Sequence, residues 1–269
     1  MLVAQLNGQR IEADDAERGP AYRCPNCRDA VVLKKGRIVA HHFAHKPPHD
    51  CTWGKGETDE HRQAKKLFRN EFVRRGLRAE VEYEVSSLPD DRRADVVVWS
   101  PQGQAYALEL QHSSVDYGNL EHRTRSYSHA GFRVIWIPFL RPKLSQDAKA
   151  LGPEVDGDFR IRRYPARPFE RWVHGFYFGQ FWIYDPSRKA LWKAKFNPHK
   201  MFVEPFKWYD SEGVEQRVGG YWKISKKWRE LTLWGPYGLD QVRIESLNRK
   251  ATEIGKHRYP GGTVGWFVE

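Results

Sequence analysis

The sequence predicts a mixed α/β (α+β) protein in three parts: a small metal-held module, an αβββαβ core and a mostly β accessory region. Three observations predict it. Cysteines and histidines crowd into residues 22–51, helix and strand patterns follow in the order α, β, β, β, α, β over residues 57–137, and eight of the eleven tryptophans come after residue 140 in short aromatic runs. The corresponding boundaries are 1–53, 54–142 and 143–269.

From the N-terminus, an apolar start over residues 1–6 meets Asn7-Gly8 and then Arg10-Ile11, a hairpin signature. Residues 31–33 and 38–39 are apolar runs able to form a second hairpin within the Cys/His-rich stretch. Residues 57–75 read as a helix, because Ala64, Leu67, Phe68 and Val73 recur at helical spacing among charges and Gly76 supplies a stop. Three strands follow at 79–85, 94–99 and 105–111, punctuated by Leu88-Pro89-Asp90-Asp91 and Pro101-Gln102-Gly103. Residues 117–130 return to helix, Gly131 ends it, and the run at 133–137 reads as a buried strand. In the last part, aromatic runs separated by Asp-Pro, Asn-Pro and Gly-Gly pairs suit short strands.

Lys and Arg number 45 against 34 Asp and Glu, a formal net charge of +11 over 269 residues. Clustered cations gain affinity for phosphates by releasing condensed counterions, so the balance favours a polyanionic partner without specifying one. No apolar run approaches the roughly 20 residues that span a bilayer, and the first residues lack the basic, apolar and small-residue pattern of a signal peptide. The expectation is a cytoplasmic protein with no membrane partner; oligomeric state is left open. The three cysteines all precede residue 52, and an odd number does not make a disulfide framework.

Cys24-Pro25-Asn26-Cys27 sets two thiols two residues apart, the spacing at which one tight turn brings both to a tetrahedral Zn²⁺. His42, His45 and Cys51 follow at the distance of a second half-site. The reading is a structural zinc site made of Cys24, Cys27, Cys51 and one of the two histidines, against the alternative of clustered free thiols. A catalytic zinc fits less well, because three thiolates quench Lewis acidity.

Pairing about a centre near residue 102 places Asp95 opposite Glu109 on one sheet face, with Gln111 two residues further on that face. Two opposed carboxylates repel unless a cation lies between them, so this hairpin is either a metal seat or an ordinary solvent face. On the preceding helix, Glu57, His61 and Lys65 share one stripe at i, i+4 and i+8, with Glu60 adjacent. That stripe is either aimed at the sheet or a solvated charged face.

With these residues assembled, residues 22–137 resemble the competence protein CoiA-like family, whose core belongs to the PD-(D/E)XK nuclease superfamily. The resemblance rests on an ordered set: the CPNC pair, HFAH at 42–45, ETDEH-x-x-x-K at 57–65, RAD at 93–95, LELQ at 108–111, then Arg123, Tyr127 and the VIWI strand. It implies a restriction-endonuclease-like αβββαβ core in which Asp95 and Glu109 hold Mg²⁺ or Mn²⁺. Glu57 or Glu60 is then available to hold a metal-bound water. Gln111 stands where the superfamily more often has Lys, leaving Lys65 or His61 to supply positive charge. Ser113, Arg123 and Tyr127 become candidates for phosphate contact. The implied activity is phosphodiester hydrolysis in DNA processing, with single-stranded DNA among the candidate substrates.

Two other classes remain: a nucleic-acid-binding adaptor that keeps the fold but does not cut, and a zinc-stabilised protein-interaction module. In the C-terminal region, stretches such as Tyr221-Trp222-Lys223 interleave cations with aromatic rings, which suits either stacking on single-stranded bases or a Trp-rich core.

Overall fold

Asn7 and Gly8 both take positive φ, 52° and 80°, the pair of left-handed residues that a two-residue hairpin turn requires. They join β1 (Val3–Leu6) to β2 (Gln9–Glu12). The computed structural model describes residues 1–86, 92–255 and 257–269. The punctuation expected at Leu88-Pro89-Asp90-Asp91 lies outside the described residues. β3 (Tyr22–Arg23), β4 (Ala30–Lys34) and β5 (His42–His45) complete a sheet of order β2-β1-β3-β4-β5. β4 was expected to pair with residues 38–39, but it pairs with β5, Lys34 facing His42 and Val31 facing His45. Ile38 is 92% exposed in the connection; Phe43, fully inside with its ring 5.0 Å from that of Tyr22, is the apolar residue that anchors the second strand.

α1 (Asp59–Arg74) begins at Thr58, whose hydroxyl accepts the His61 amide hydrogen at 3.2 Å. Ala64, Phe68 and Phe72, four residues apart, form its buried line, together with Lys65. Val73, expected to face inward, is exposed because it falls a quarter turn past Phe72. Gly76, at φ 77°, allows Leu77 to return its amide to the Phe72 carbonyl at 3.0 Å, which ends the helix.

β6 (Arg78–Val85), β7 (Arg92–Trp99) and β8 (Ala105–Gln111) run antiparallel. α2 (Tyr117–His129) then crosses over to β9 (Arg133–Pro138), which lies parallel to β8. The sheet order is β6-β7-β8-β9, and the αβββαβ order expected from the sequence is the order observed. Val96, Val97, Val98, Ala107, Leu108 and the strand Val134 to Ile137 are all buried, so apolar residues line both faces of the central strands.

The chain next forms α3 (Pro142–Ser145), β10 (Lys149–Ala150), β11 (Phe159–Tyr164), α4 (Pro168–Phe176), β12 (Phe181–Asp185), β13 (Ala190–Val203), β14 (Phe206–Tyr209), β15 (Glu215–Val218) and β16 (Tyr221–Tyr237). Their main sheet has the order β10-β11-β16-β13-β12. Trp172, Trp182 and Trp192 are core residues here. The long strands β13 and β16 run on past β11 as an arm on which Trp222 is exposed, and Phe206, Trp208 and Tyr209 are exposed on β14, which pairs with β15.

β17 (Arg243–Arg249), β18 (Thr252–Ile254), β19 (His257–Tyr259) and β20 (Gly262–Val268) pair as two ribbons, β17 with β20 and β18 with β19. Contacts divide the chain into one unit of Met1–Ser113, Gly118–Phe139 and Tyr237–Glu269, and another of Ser114–Tyr117 and Leu140–Pro236. The last segment thus falls with the αβββαβ core, although the sequence groups it with the Trp-rich region. Gly265 is the reason: a Cβ there would lie 2.4 Å from Ile135 Cγ1, so only a bare backbone lets β20 seat against β9. Among the described residues no helix is long and apolar enough to cross a membrane.

Candidate active site and metal centre

Strand register builds the site. β6 pairs Val81 with Val96 and Tyr83 with Ala94, which sets Glu82 across from Asp95. β7 pairs Val96 with Leu108, and one step further along the same register Asp95 lies across from Glu109. Three acids therefore stand abreast on three neighbouring strands. The ladder gives way at this point, and the Leu110 amide donates to Asp95 Oδ2 at 2.9 Å.

α1 answers these acids with cations. Lys65 Nζ, 1% exposed, lies 2.6 Å from Glu82 Oε1 and 3.9 Å from Asp95 Oδ1, and also contacts Glu57. His61 Nε2 lies 3.2 Å from Asp95 Oδ2, and its Nδ1 lies 3.6 Å from Glu57 Oε1. Glu57 further contacts the Met1 nitrogen at 3.1 Å. Glu109 is 1% exposed and held from α2, Arg123 on one oxygen and the Tyr127 hydroxyl on the other. The stripe of Glu57, His61 and Lys65 faces the sheet, as one of its two sequence readings required.

Burial would raise all of these carboxyls, and what differs is the compensation. For Asp95, His61 outweighs burial with help from Lys65 and Arg123, holding the group well below the usual carboxylate range. For Glu82, Lys65 and Arg93 do the same. For Glu57 the opposing charge is chiefly Lys65. Glu109 behaves oppositely: burial, reinforced by the charge of Asp95, outweighs Arg123 and leaves its pKa raised. Lys65 is itself shifted up, since Glu82, Asp95 and Glu57 outweigh its own burial.

Gln111 turns its amide to Ser113, donating to the Ser113 carbonyl at 2.7 Å and hydroxyl at 3.2 Å. Arg123 lies over the Trp136 ring, 4.9 Å from its centroid, and Tyr127 is fully buried, so both serve Glu109 in this structure. Glu60 is exposed in the first turn of α1 and, among the described residues, has no contact with the cluster. Glu82 and Arg93 were missed. Glu82 reads in sequence as one of three glutamates alternating with apolar residues, the pattern of a solvent face, and only its register opposite Asp95 reveals it. Its φ of 49° is in the left-handed region, a strained backbone for a buried glutamate. Arg93 Nη1 lies 3.6 Å from Glu82 Oε2, with its guanidinium 4.3 Å from the Trp53 ring centre.

The second cluster lies in the N-terminal sheet. Cys24, Cys27, His45 and Cys51 bring one ligand atom each to within 4.8 Å of one another. Cys24 Sγ is 3.9 Å from Cys51 Sγ, and Cys27 Sγ is 3.3 Å from His45 Nε2. A tetrahedron with Zn–S bonds of about 2.3 Å spaces its sulfurs by about 3.8 Å, so this Cys₃His set fits a metal such as zinc. The open choice of histidine resolves to His45. His42 uses Nδ1 on the Ala40 carbonyl at 2.8 Å and stands outside the set. The carboxylates of the acidic cluster offer hard oxygen donors, the chemistry that suits Mg²⁺ or Mn²⁺.

The family model described as competence protein CoiA, N-terminal domain, matches residues 4–54, and that described as competence protein CoiA, nuclease-like domain, matches residues 57–149. The two cover the cysteine cluster and the acidic cluster respectively. No curated protein and no solved structure matches the chain.

Proposed function

This chain belongs to the competence protein CoiA-like family, and from that premise we propose that it is a metal-dependent nuclease that hydrolyses phosphodiester bonds in DNA. The observation that carries the reading is the juxtaposition of Asp95 and Glu109 on adjacent strands with Lys65 delivered to them from α1. Asp95 and Glu109 would hold Mg²⁺ or Mn²⁺, which supplies Lewis acidity toward the phosphate and activates water for attack.

The chain's own residues have separable tasks. Lys65 places a fixed positive charge beside Asp95, the place left without one by Gln111. Glu57 and Glu82 hold that ammonium in position. His61, bonded to Asp95 Oδ2, keeps the carboxylate ionised and is within reach to exchange a proton at Nε2. Arg123 and Tyr127 orient Glu109 and favour its charged form against burial and the charge of Asp95. Glu109 sits with a raised pKa beside an ionised Asp95, a pair that gains when a cation is added.

The test incubates the purified chain, Asp95→Asn and Glu109→Gln with labelled single-stranded and duplex DNA in Mg²⁺, Mn²⁺ or EDTA. Cleavage that needs the metal and disappears in both folded variants is the expected result. Absence of cleavage by the wild type under all these conditions would overturn it. A non-cleaving DNA adaptor is the second reading, favoured by one observation: both Glu109 oxygens already have protein partners.

A further inference from the structure

A groove of about 630 Å³ opens on the unit built from Leu140–Pro236, between β11 and the arm formed by β13 and β16. Its basic lining has a local cause. β11 pairs Ile161 with Leu231 but Tyr164 with Arg229, so one extra residue bulges out of β11 between them. The bulge turns two consecutive arginines, Arg162 and Arg163, outward, where regular alternation would bury one of them. Lys149 and Lys200 add two more exposed cations. Among the described residues none of these four has an acidic partner, whereas Arg160 and His199, also in the lining, are turned to Glu230 at 3.8 and 3.4 Å. The acidic residue in the lining is Asp147.

The opposite wall is aromatic. Trp222 is 68% exposed and Phe202 39%, with ring centroids 5.5 Å apart. Exposing a tryptophan to this extent forfeits much of the hydrophobic stabilisation its ring could supply. Trp222 and Lys200 also border a second cavity of about 480 Å³ shared with Lys223 and Ile224.

We propose that this groove binds single-stranded DNA, with unpaired bases stacked on Trp222 and Phe202 and the backbone phosphates met by Arg162, Arg163, Lys149 and Lys200. Charge complementarity selects the occupant. Four unneutralised cations require a polyanion and would repel the same face of a second copy of the chain. The exposed ring selects the strandedness, because a base offers its face to an aromatic side chain only when it is unpaired. The choice of DNA over RNA rests on the nuclease reading above; the preference for a single strand does not.

The test measures fluorescence anisotropy of end-labelled oligothymidylate, a mixed-sequence DNA duplex and oligouridylate of the same length, on the full chain in EDTA so that no strand is cut. Trp222→Ala should weaken oligothymidylate binding by roughly tenfold, and Trp222→Phe should restore most of it. Arg162→Glu combined with Arg163→Glu should weaken it further and reduce the log–log salt slope by about 1.4, the value for two phosphates on a single strand. Wild-type affinity in both groove variants, with circular dichroism showing all chains folded, overturns the proposal. So does duplex binding as tight as single-strand binding, tighter binding of oligouridylate, or equal displacement of the DNA by polyglutamate. Groove-dependent binding without cleavage in Mg²⁺ would sink the nuclease and leave the groove; cleavage with groove-independent binding would do the reverse.

Discussion

The Lys65 ammonium lies 2.6 Å from Glu82 Oε1, with both side chains 1% exposed. A pair this deep is held by mutual need, because each charge left alone would face the full desolvation penalty. Glu82→Met or Lys65→Met should therefore each destabilise the fold by about 3–5 kcal/mol. The double variant Lys65→Met/Glu82→Met should cost less than the sum of the two, since it removes both charges together. Urea unfolding of the four chains measures the cycle. Additive costs would mean that Glu57 and Asp95, not Glu82, carry the ammonium.

The acid limb of stability separates Asp95 from Glu109 by sign. Asp95, Glu82 and Glu57 have folded pKa values below their unfolded ones. Their contribution is present above the unfolded values near 4 and lost as pH falls toward their folded values. Glu109 has a raised folded pKa, so its contribution is present below the unfolded value and lost as pH rises through the folded one. In EDTA, Asp95→Asn should be less stable than the wild type at pH 7, with a deficit that starts to shrink only as pH falls below about 4 and is still present at pH 3. The stability of Glu109→Gln relative to the wild type should instead improve from pH 3 to pH 7. Thermal melts across that range decide it; parallel curves for the two variants would contradict the assigned environments.

Both helices of the core, its β strands and the Asp95/Glu109 register were legible because each rests on local rules: a 3.6-residue apolar line, glycine stops after residues 75 and 130, and a short turn that fixes strand pairing. Glu82 was not, because its partner strand is reached through residues 86–91, and the Leu88-Pro89-Asp90-Asp91 punctuation marks a break without defining one centre to count a register from. Ile38-Val39 misled for the complementary reason: two apolar residues look like a strand, but the sheet needed the side chains of His42–His45. The return of β20 to the core was invisible because its signal is a missing side chain at Gly265, meaningful only once Ile135 lies beneath it.

The Cys₃His cluster separates two histidines that the sequence leaves equivalent. His45 lies with the three sulfurs and His42 does not. Burial raises the thiol of Cys24, and desolvation pushes that of Cys27 up to about 12, so without a metal both stay protonated at neutral pH. Metal uptake should therefore release protons and grow stronger as pH rises. Purified chain should carry about one zinc, lost in Cys27→Ser and His45→Ala and kept in His42→Ala. Metal analysis of the three variants reads this directly, and retention of zinc by His45→Ala would transfer the ligand role elsewhere.

Lys65 and Gln111 compete for the role of the missing lysine, and geometry separates them. Lys65 Nζ stands 3.9 Å from Asp95 Oδ1, whereas the Gln111 amide is spent on Ser113. Removing a charge that stabilises a developing anion commonly costs about 10²–10³ in rate, so Lys65→Gln should lose cleavage on that scale. Gln111→Ala should lose less than about tenfold, a smaller effect expected of a residue with no charge to offer. The stability of Lys65→Gln must be measured alongside, given its buried acids, and rates compared at a temperature where both variants are folded. If Gln111→Ala abolishes cleavage while Lys65→Gln leaves it near the wild-type rate, the amide rather than the ammonium is the group that acts on the reacting atoms, and its bond to Ser113 must break when substrate binds.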